Sequence, residues 1–171
     1  QESINEAQGI KTPSETGVSI DINVNAYLPE SYIENHNQRI DMYKRIAAIE
    51  SDEDKFEIED ELIDRFGDIP KSVQNIIDVA ALKIIASDCG VYEITQPGKV
   101  LQLKFVEDKI DAKTVFELDK LYPKKMKIAA SEKPMLSFRL TDDDKNILEY
   151  TKNILSVISQ IQSEIEKPDN V

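Results

Sequence analysis

The sequence predicts an α+β domain with a helical first lobe and an α/β second lobe. Up to Gly90 the apolar residues recur at spacings of three and four, the period of helices that bury one face. From Val91 the pattern turns into short runs rich in β-branched residues, joined by turn sequences. A long stripe of isoleucines then closes the chain as a helix. Runs of helix followed by short antiparallel strands define the α+β class.

Size and composition agree. The 171 residues and 19.4 kDa correspond to one domain, or one small two-lobed domain with loose ends. A chain of this length hides about 70% of the surface it would expose unfolded, so neither disulfide nor metal is needed for stability. At 40% hydrophobic and 32% charged, the chain is not collagen-like, broadly disordered or coiled coil alone.

Residues 1 to 18 are polar, broken by Gly9, Pro13 and Gly17, and read as a linker arriving from an upstream domain. The domain proper is expected over residues 19–171, in lobes of about 19–90 and 91–171. The chain opens on Gln1, and the expectation is a piece of a longer protein.

Ser19 to Ala26 alternates Ile20, Ile22 and Val24 with polar residues, a strand with one wet face that Pro29 ends. A loop carrying Tyr32, Ile33 and His36 leads to a helix whose stripe is Ile40, Tyr43, Ile46 and Ala47, with Ile49 at its end. Ser51 is the expected N-cap of a second helix, with Asp54 at capping-box spacing. Its apolar arc is Phe56, Ile58, Leu62, Ile63 and Phe66, and Gly67 ends it. Pro70 opens a third helix that is apolar nearly all round, from Val73 to Ile85.

Val91 to Thr95 and Val100 to Val106 flank Gln96-Pro97-Gly98-Lys99, which has Pro and Gly where a type II turn wants them. A hairpin follows. A helix from about Asp111 to Leu121 stops at Pro123, and Met126 to Ala130 with Met135 to Leu140 predicts a second antiparallel pair. Thr141 with Asp142, Asp143 and Asp144 signals the start of the last helix, whose stripe includes Ile147, Ile154, Ile158, Ile161 and Ile165.

Charge and motifs narrow the function. With 33 acids, 21 bases and a net charge of −12, the sign is wrong for neutralising phosphates, so nucleic acid and anionic membrane are disfavoured as direct partners. No apolar run approaches the roughly 18 to 20 residues of a membrane-spanning helix, and no signal peptide opens the chain. The single Cys89 agrees with a reducing compartment, so the expected location is the cytoplasm. GxxxxGK(S/T), GxGxxG, HExxH, CxxC and GxSxG are all absent, which removes the usual nucleotide cradles, zinc sites and nucleophile elbows. His36 reads as an ordinary loop residue. Cys89, at a helix end, reads as a buried inert thiol. Asp52-x-Asp54 starts like a calcium loop, but Phe56 and Glu57 stand where a ligand and a glycine are required. No catalytic residue, metal or cofactor is assigned.

One segment concentrates the charge. Between Glu50 and Asp68 ten acids face two bases, Lys55 and Arg65, a net of −8. On a wheel of about 100° per residue the apolar arc runs from Ile58 and Leu62 to Ile63 and Phe56, roughly 0° to 160°. Glu57, Glu61 and Asp64 fall near 240° to 300°, opposite the core. Like charges at these spacings repel by a few tenths of a kcal/mol per pair, a local cost that a basic partner would offset. The plain alternative is a solvated face. Arg65 is placed to pair with Glu61 four residues back, and Glu59 falls inside the apolar arc with no evident reason.

Four blocks around this helix, AYLPESYI (Ala26 to Ile33), RIDMYKRIA (Arg39 to Ala47), ELIDRFGDIP (Glu61 to Pro70) and VQNIIDVAALK (Val73 to Lys83), resemble the C-terminal domain of the bacterial transcription-repair coupling factors, the Mfd family. The resemblance covers about Ile20 to Gly90 and continues, weaker but collinear, to about Glu166. It implies a regulatory module of an ATP-dependent DNA translocase that removes stalled RNA polymerase and recruits UvrA. In that family the domain packs on the UvrB-like module of the same polypeptide and hides the UvrA-binding surface. The family's interface uses acids of the ELIDRFG helix, here Glu61 and Asp64. The resulting expectation is a non-catalytic, monomeric, autoinhibitory domain whose partner-binding residues are Glu57, Glu61 and Asp64, linked to UvrA and RNA polymerase only through the full-length protein. An acidic nucleic-acid mimic, a general protein-interaction module and a carboxylate-dependent hydrolase are the competing classes. A mimic should spread charge over several faces, whereas the other 152 residues hold 23 acids against 19 bases. A hydrolase needs carboxylates that converge in a cleft, and these point outward.

Overall fold

The computed structural model describes residues 17–166; most of the linker expected over residues 1 to 18 lies outside them. The chain divides into two compact units at Ile84 and Ile85. Together they hold five strands and five helices among the described residues, an α+β architecture.

The first unit begins with β1 (Ser19–Asp21), shorter than the strand expected to reach Ala26. The Val24 N–H donates to the Ile22 carbonyl at 2.9 Å, a three-residue turn that takes the backbone out of the extended state at Asn23. Helix α1 (His36–Ala47) is capped by Asn35, whose side chain accepts from the Gln38 N–H. His36 is therefore the first residue of the helix and not part of the loop before it. The buried stripe of α1 is Arg39, Met42 and Ile46, not one centred on Ile40 and Tyr43. Arg39 is tolerated inside because its guanidinium donates to the carbonyls of Ile33 (2.8 Å) and Glu34 (3.0 Å), leaving no buried donor charge without a partner.

Helix α2 (Asp52–Phe66) starts where the sequence places it. Ser51 Oγ accepts from the Asp54 N–H at 3.1 Å, and the Asp54 carboxylate accepts from the Glu50 N–H at 3.0 Å. Asp52, Glu53 and Asp54 occupy its first turn, against the positive end of the helix dipole. Gly67, at φ 86°, closes it, with its N–H on the Ile63 carbonyl. Tyr32 locks this end by donating to the carbonyls of Gly67 (2.9 Å) and Leu62 (3.3 Å), with its ring tilted against Phe66. Helix α3 (Lys71–Asp88) follows Pro70, whose carbonyl accepts from the Gln74 N–H. Leu28, Ile33, Ile46, Leu62, Ile76 and Ile77 form the centre of this unit's core.

In the second unit β2 (Val91–Thr95) and β3 (Val100–Phe105) form the expected hairpin, with Gly98 at φ 64° in its turn. Helix α4 (Ala112–Leu121) is capped by Asp111, whose carboxylate accepts from the Thr114 N–H at 2.8 Å. β4 (Met126–Ala129) and β5 (Met135–Arg139) pair as expected. β5 also pairs with β3, so the two hairpins join in the order β2-β3-β5-β4, antiparallel throughout. Helix α5 runs from Ile147 to Glu166, six residues after Thr141, where it was expected to begin. The Asp144 carboxylate turns back to accept from the N–H and hydroxyl of Thr141 (2.8 and 2.9 Å). That closes a separate turn, and Asn146 takes the cap by accepting from the Glu149 N–H.

Candidate functional site

The acidic face belongs to α2, and burial sorts its residues. Ile58 and Leu62 are buried, Phe66 is half-buried, and Glu57 and Asp64 are exposed. Glu61 is only half-exposed. Its Oε1 accepts from Arg45 Nη2 at 3.0 Å, its Oε2 from Arg45 Nη1, and Oε2 also from Arg65 Nη1 at 2.9 Å. The bidentate Arg45 bond is the largest effect holding the Glu61 carboxyl below its ordinary pKa; burial opposes it and Arg65 adds to it. Arg45 rises in return through the same bond. Arg65 also lies 4.9 Å from the centre of the Phe66 ring, a cation–π contact.

The three residues singled out from the sequence therefore lie on one helix in two states. Glu57 and Asp64 form no ion pair among the described residues, and neither do Glu53 and Asp60, which are exposed beside them. Glu61 is already neutralised by two arginines. Both bases of α2 are engaged: Arg65 with Glu61, as its spacing implies, and Lys55 with Glu59 (3.8 Å) and Asp78 (3.7 Å). Glu59 also accepts from Gln74 Nε2 at 3.3 Å, which accounts for an acid on the apolar side of the wheel: it meets polar groups of α3 there.

Two residues depart from the apolar arc. Phe56 is 60% and Ile63 51% exposed, although both were assigned to the buried side. The wheel held the clue, since both lie near 140° to 160°, next to Asp60 at about 200° and far from the Ile58–Leu62 centre. Arg45 was missed altogether, because it lies 16 residues from Glu61 on another helix and no local pattern marks it.

Elsewhere, His36 is exposed, and its Nδ1 lies 3.4 Å from Arg39 Nη2. Cys89 is 1% exposed, and its thiol, donating to the Leu155 carbonyl, is pushed up to about 11 by burial and by Asp88. A thiol so placed is a poor nucleophile. Among the described residues no three His, Cys, Asp or Glu side chains converge as a metal set, and no helix is long and apolar enough to cross a membrane.

Fold and site together define an α+β domain that displays a largely uncompensated acidic helix face. The family model described as the TRCF domain matches residues 22–115, more than half of the chain. The chain belongs to that family. It is similar to the transcription-repair-coupling factors of Staphylococcus epidermidis (33% identical over 141 residues) and Staphylococcus haemolyticus (33% over 140), and to that of Staphylococcus aureus (32% over 140). Each match covers 79% of this chain and 12% of the relative, so the chain spans a small part of those proteins. A crystal structure of the C-terminal domain of a transcription-repair coupling factor shares the fold, with a TM-score of 0.73 at 24% identity over 87% of this chain and 97% of that one.

Proposed function

We propose that this domain is a non-catalytic, autoinhibitory clamp of a transcription-repair coupling translocase. The acidic face of α2 docks on the UvrB-like module of the same polypeptide and covers the surface that UvrA would bind. The observation that carries this reading is the run of exposed carboxylates at Glu57 and Asp64, with both basic residues of the helix committed to other partners. Such a face repels DNA phosphates and attracts a basic protein surface. Asp64 and Glu57 make the direct contacts. Glu61 acts with Arg45 and Arg65 as a braced cluster whose outer edge borders them.

The test is a pull-down of the 171-residue chain with the separated UvrB-like module, at low and at raised salt. Capture that weakens with salt and is lost in Glu57→Arg with Asp64→Arg supports docking. Equal capture of wild type and variant would leave this face merely solvated.

A further inference from the structure

Phe56 and Ile63 are seven residues apart on α2, so at about 1.5 Å per residue they stand about 10 Å apart on one side of the helix. They are 60% and 51% exposed, while their neighbours Ile58 and Leu62 are buried. Asp60 lies between them, and Glu53, Glu57 and Asp64 flank them; all four acids are exposed and form no ion pair among the described residues. Single exposed apolar residues are ordinary. Two large ones aligned within an unpaired acidic row combine the ingredients of an interface, apolar anchors ringed by charge.

We infer that Phe56 and Ile63 are the apolar anchors of the docking face, and that the partner surface is a pair of apolar depressions set among arginines or lysines. The inference rests on the clamp proposed above and moves its centre around the helix, from Glu61 toward Asp60. Charge complementarity selects this occupant. A nucleic acid or anionic membrane would meet four unpaired carboxylates. A second copy docking through the same face would set those carboxylates against their own equivalents, as a two-fold interface requires. A basic protein surface meets neither obstacle.

The experiment uses the full-length coupling factor that contains this chain and measures its affinity for UvrA. Four forms are compared: wild type, F56Q/I63Q, D60R/D64R and the control Phe116→Gln, which removes an exposed aromatic of the second unit. Glutamine keeps good helix propensity, so melting should be unchanged. Both paired variants are expected to raise UvrA affinity about tenfold or more, the size of losing one strong anchor, and the control to leave it alone. If D60R/D64R raises the affinity while F56Q/I63Q stays at wild type, the apolar anchors are overturned and the clamp survives. Should neither pair change it, clamp and anchors fall together. A dimer of the 171-residue chain in sedimentation that F56Q/I63Q dissolves would assign the face to a second copy and overturn the proposal. If F56Q/I63Q melts early, F56A/I63A, with the best helix former at both sites, reads the same loss.

Discussion

The Arg45 guanidinium grips the Glu61 carboxylate through both of its terminal nitrogens, one of these bonds measuring 3.0 Å. This fork joins α1 to α2 at the edge of the acidic face, and Arg65 braces the same carboxylate from the next turn at 2.9 Å. Glu61 thus serves the scaffold, whereas Asp64, one turn further on, faces solvent.

The two acids should therefore respond differently to charge reversal. Asp64→Arg should change folding stability by no more than about 0.5 kcal/mol. Glu61→Arg would place three arginines together and should cost about 1 to 2 kcal/mol, since it removes the ion pairs and adds repulsion. Urea titrations of the two variants decide. Equal midpoints would mean that the Arg45 fork contributes nothing.

The same fork predicts an acid-sensitive share of stability. The carboxyl of Glu61 is held lower in the folded chain than in the unfolded one. Its contribution is therefore complete above the unfolded value of about 4.3 and is lost as pH falls through the folded one. Wild type should exceed Glu61→Gln in stability at pH 6, and the gap should close toward pH 3. A gap constant across that range would contradict the linkage.

Adjacent positions on α2 should behave oppositely. Leu62 is fully buried and Ile63 is not. Leu62→Ala should cost about 2 to 5 kcal/mol, and Ile63→Ala within about 0.5 kcal/mol. Circular dichroism melts of the two variants separate them, and comparable losses would place Ile63 in the core.

Glycine offers a second matched pair. Gly67 and Gly90 both have positive φ, 86° and 83°, but a Cβ on Gly67 would meet nothing within 4 Å, while one on Gly90 would come within 2.4 Å of Lys109 Cβ. Gly67→Ala should cost about 1 to 3 kcal/mol of backbone strain, because φ 86° with ψ −162° is a combination open essentially to glycine alone. Gly90→Ala should exceed that by about 1 to 3 kcal/mol, the usual penalty for forcing atoms into filled space. Denaturant unfolding monitored for each variant tests the order, which a larger loss at Gly67 would reverse.

What the sequence made legible was local. The β2–β3 hairpin was readable because Pro97 and Gly98 dictate the turn and each strand's pattern follows within a few residues. Ser51 was readable for the same reason. The junction before α5 misled because Asp144 can serve either a helix start or a turn with Thr141, and sequence spacing does not say which hydrogen bond wins. The merging of two hairpins through β3 and β5 depends on pairing across more than thirty residues. On α2 the periodicity gave the direction of the core but not its breadth. How far burial spreads around a helix is set by its neighbours, and here it stops short of Phe56 and Ile63.

Cys89 gives the second unit an internal clock. It is the chain's single sulfhydryl, sealed at 1% exposure and protonated until about pH 11, so in the native state an alkylating reagent finds neither access nor thiolate. Labelling can proceed only through opening of the surrounding structure. Its rate under native conditions therefore times how often the packing around Leu155 comes apart, with no engineered probe and no competing site.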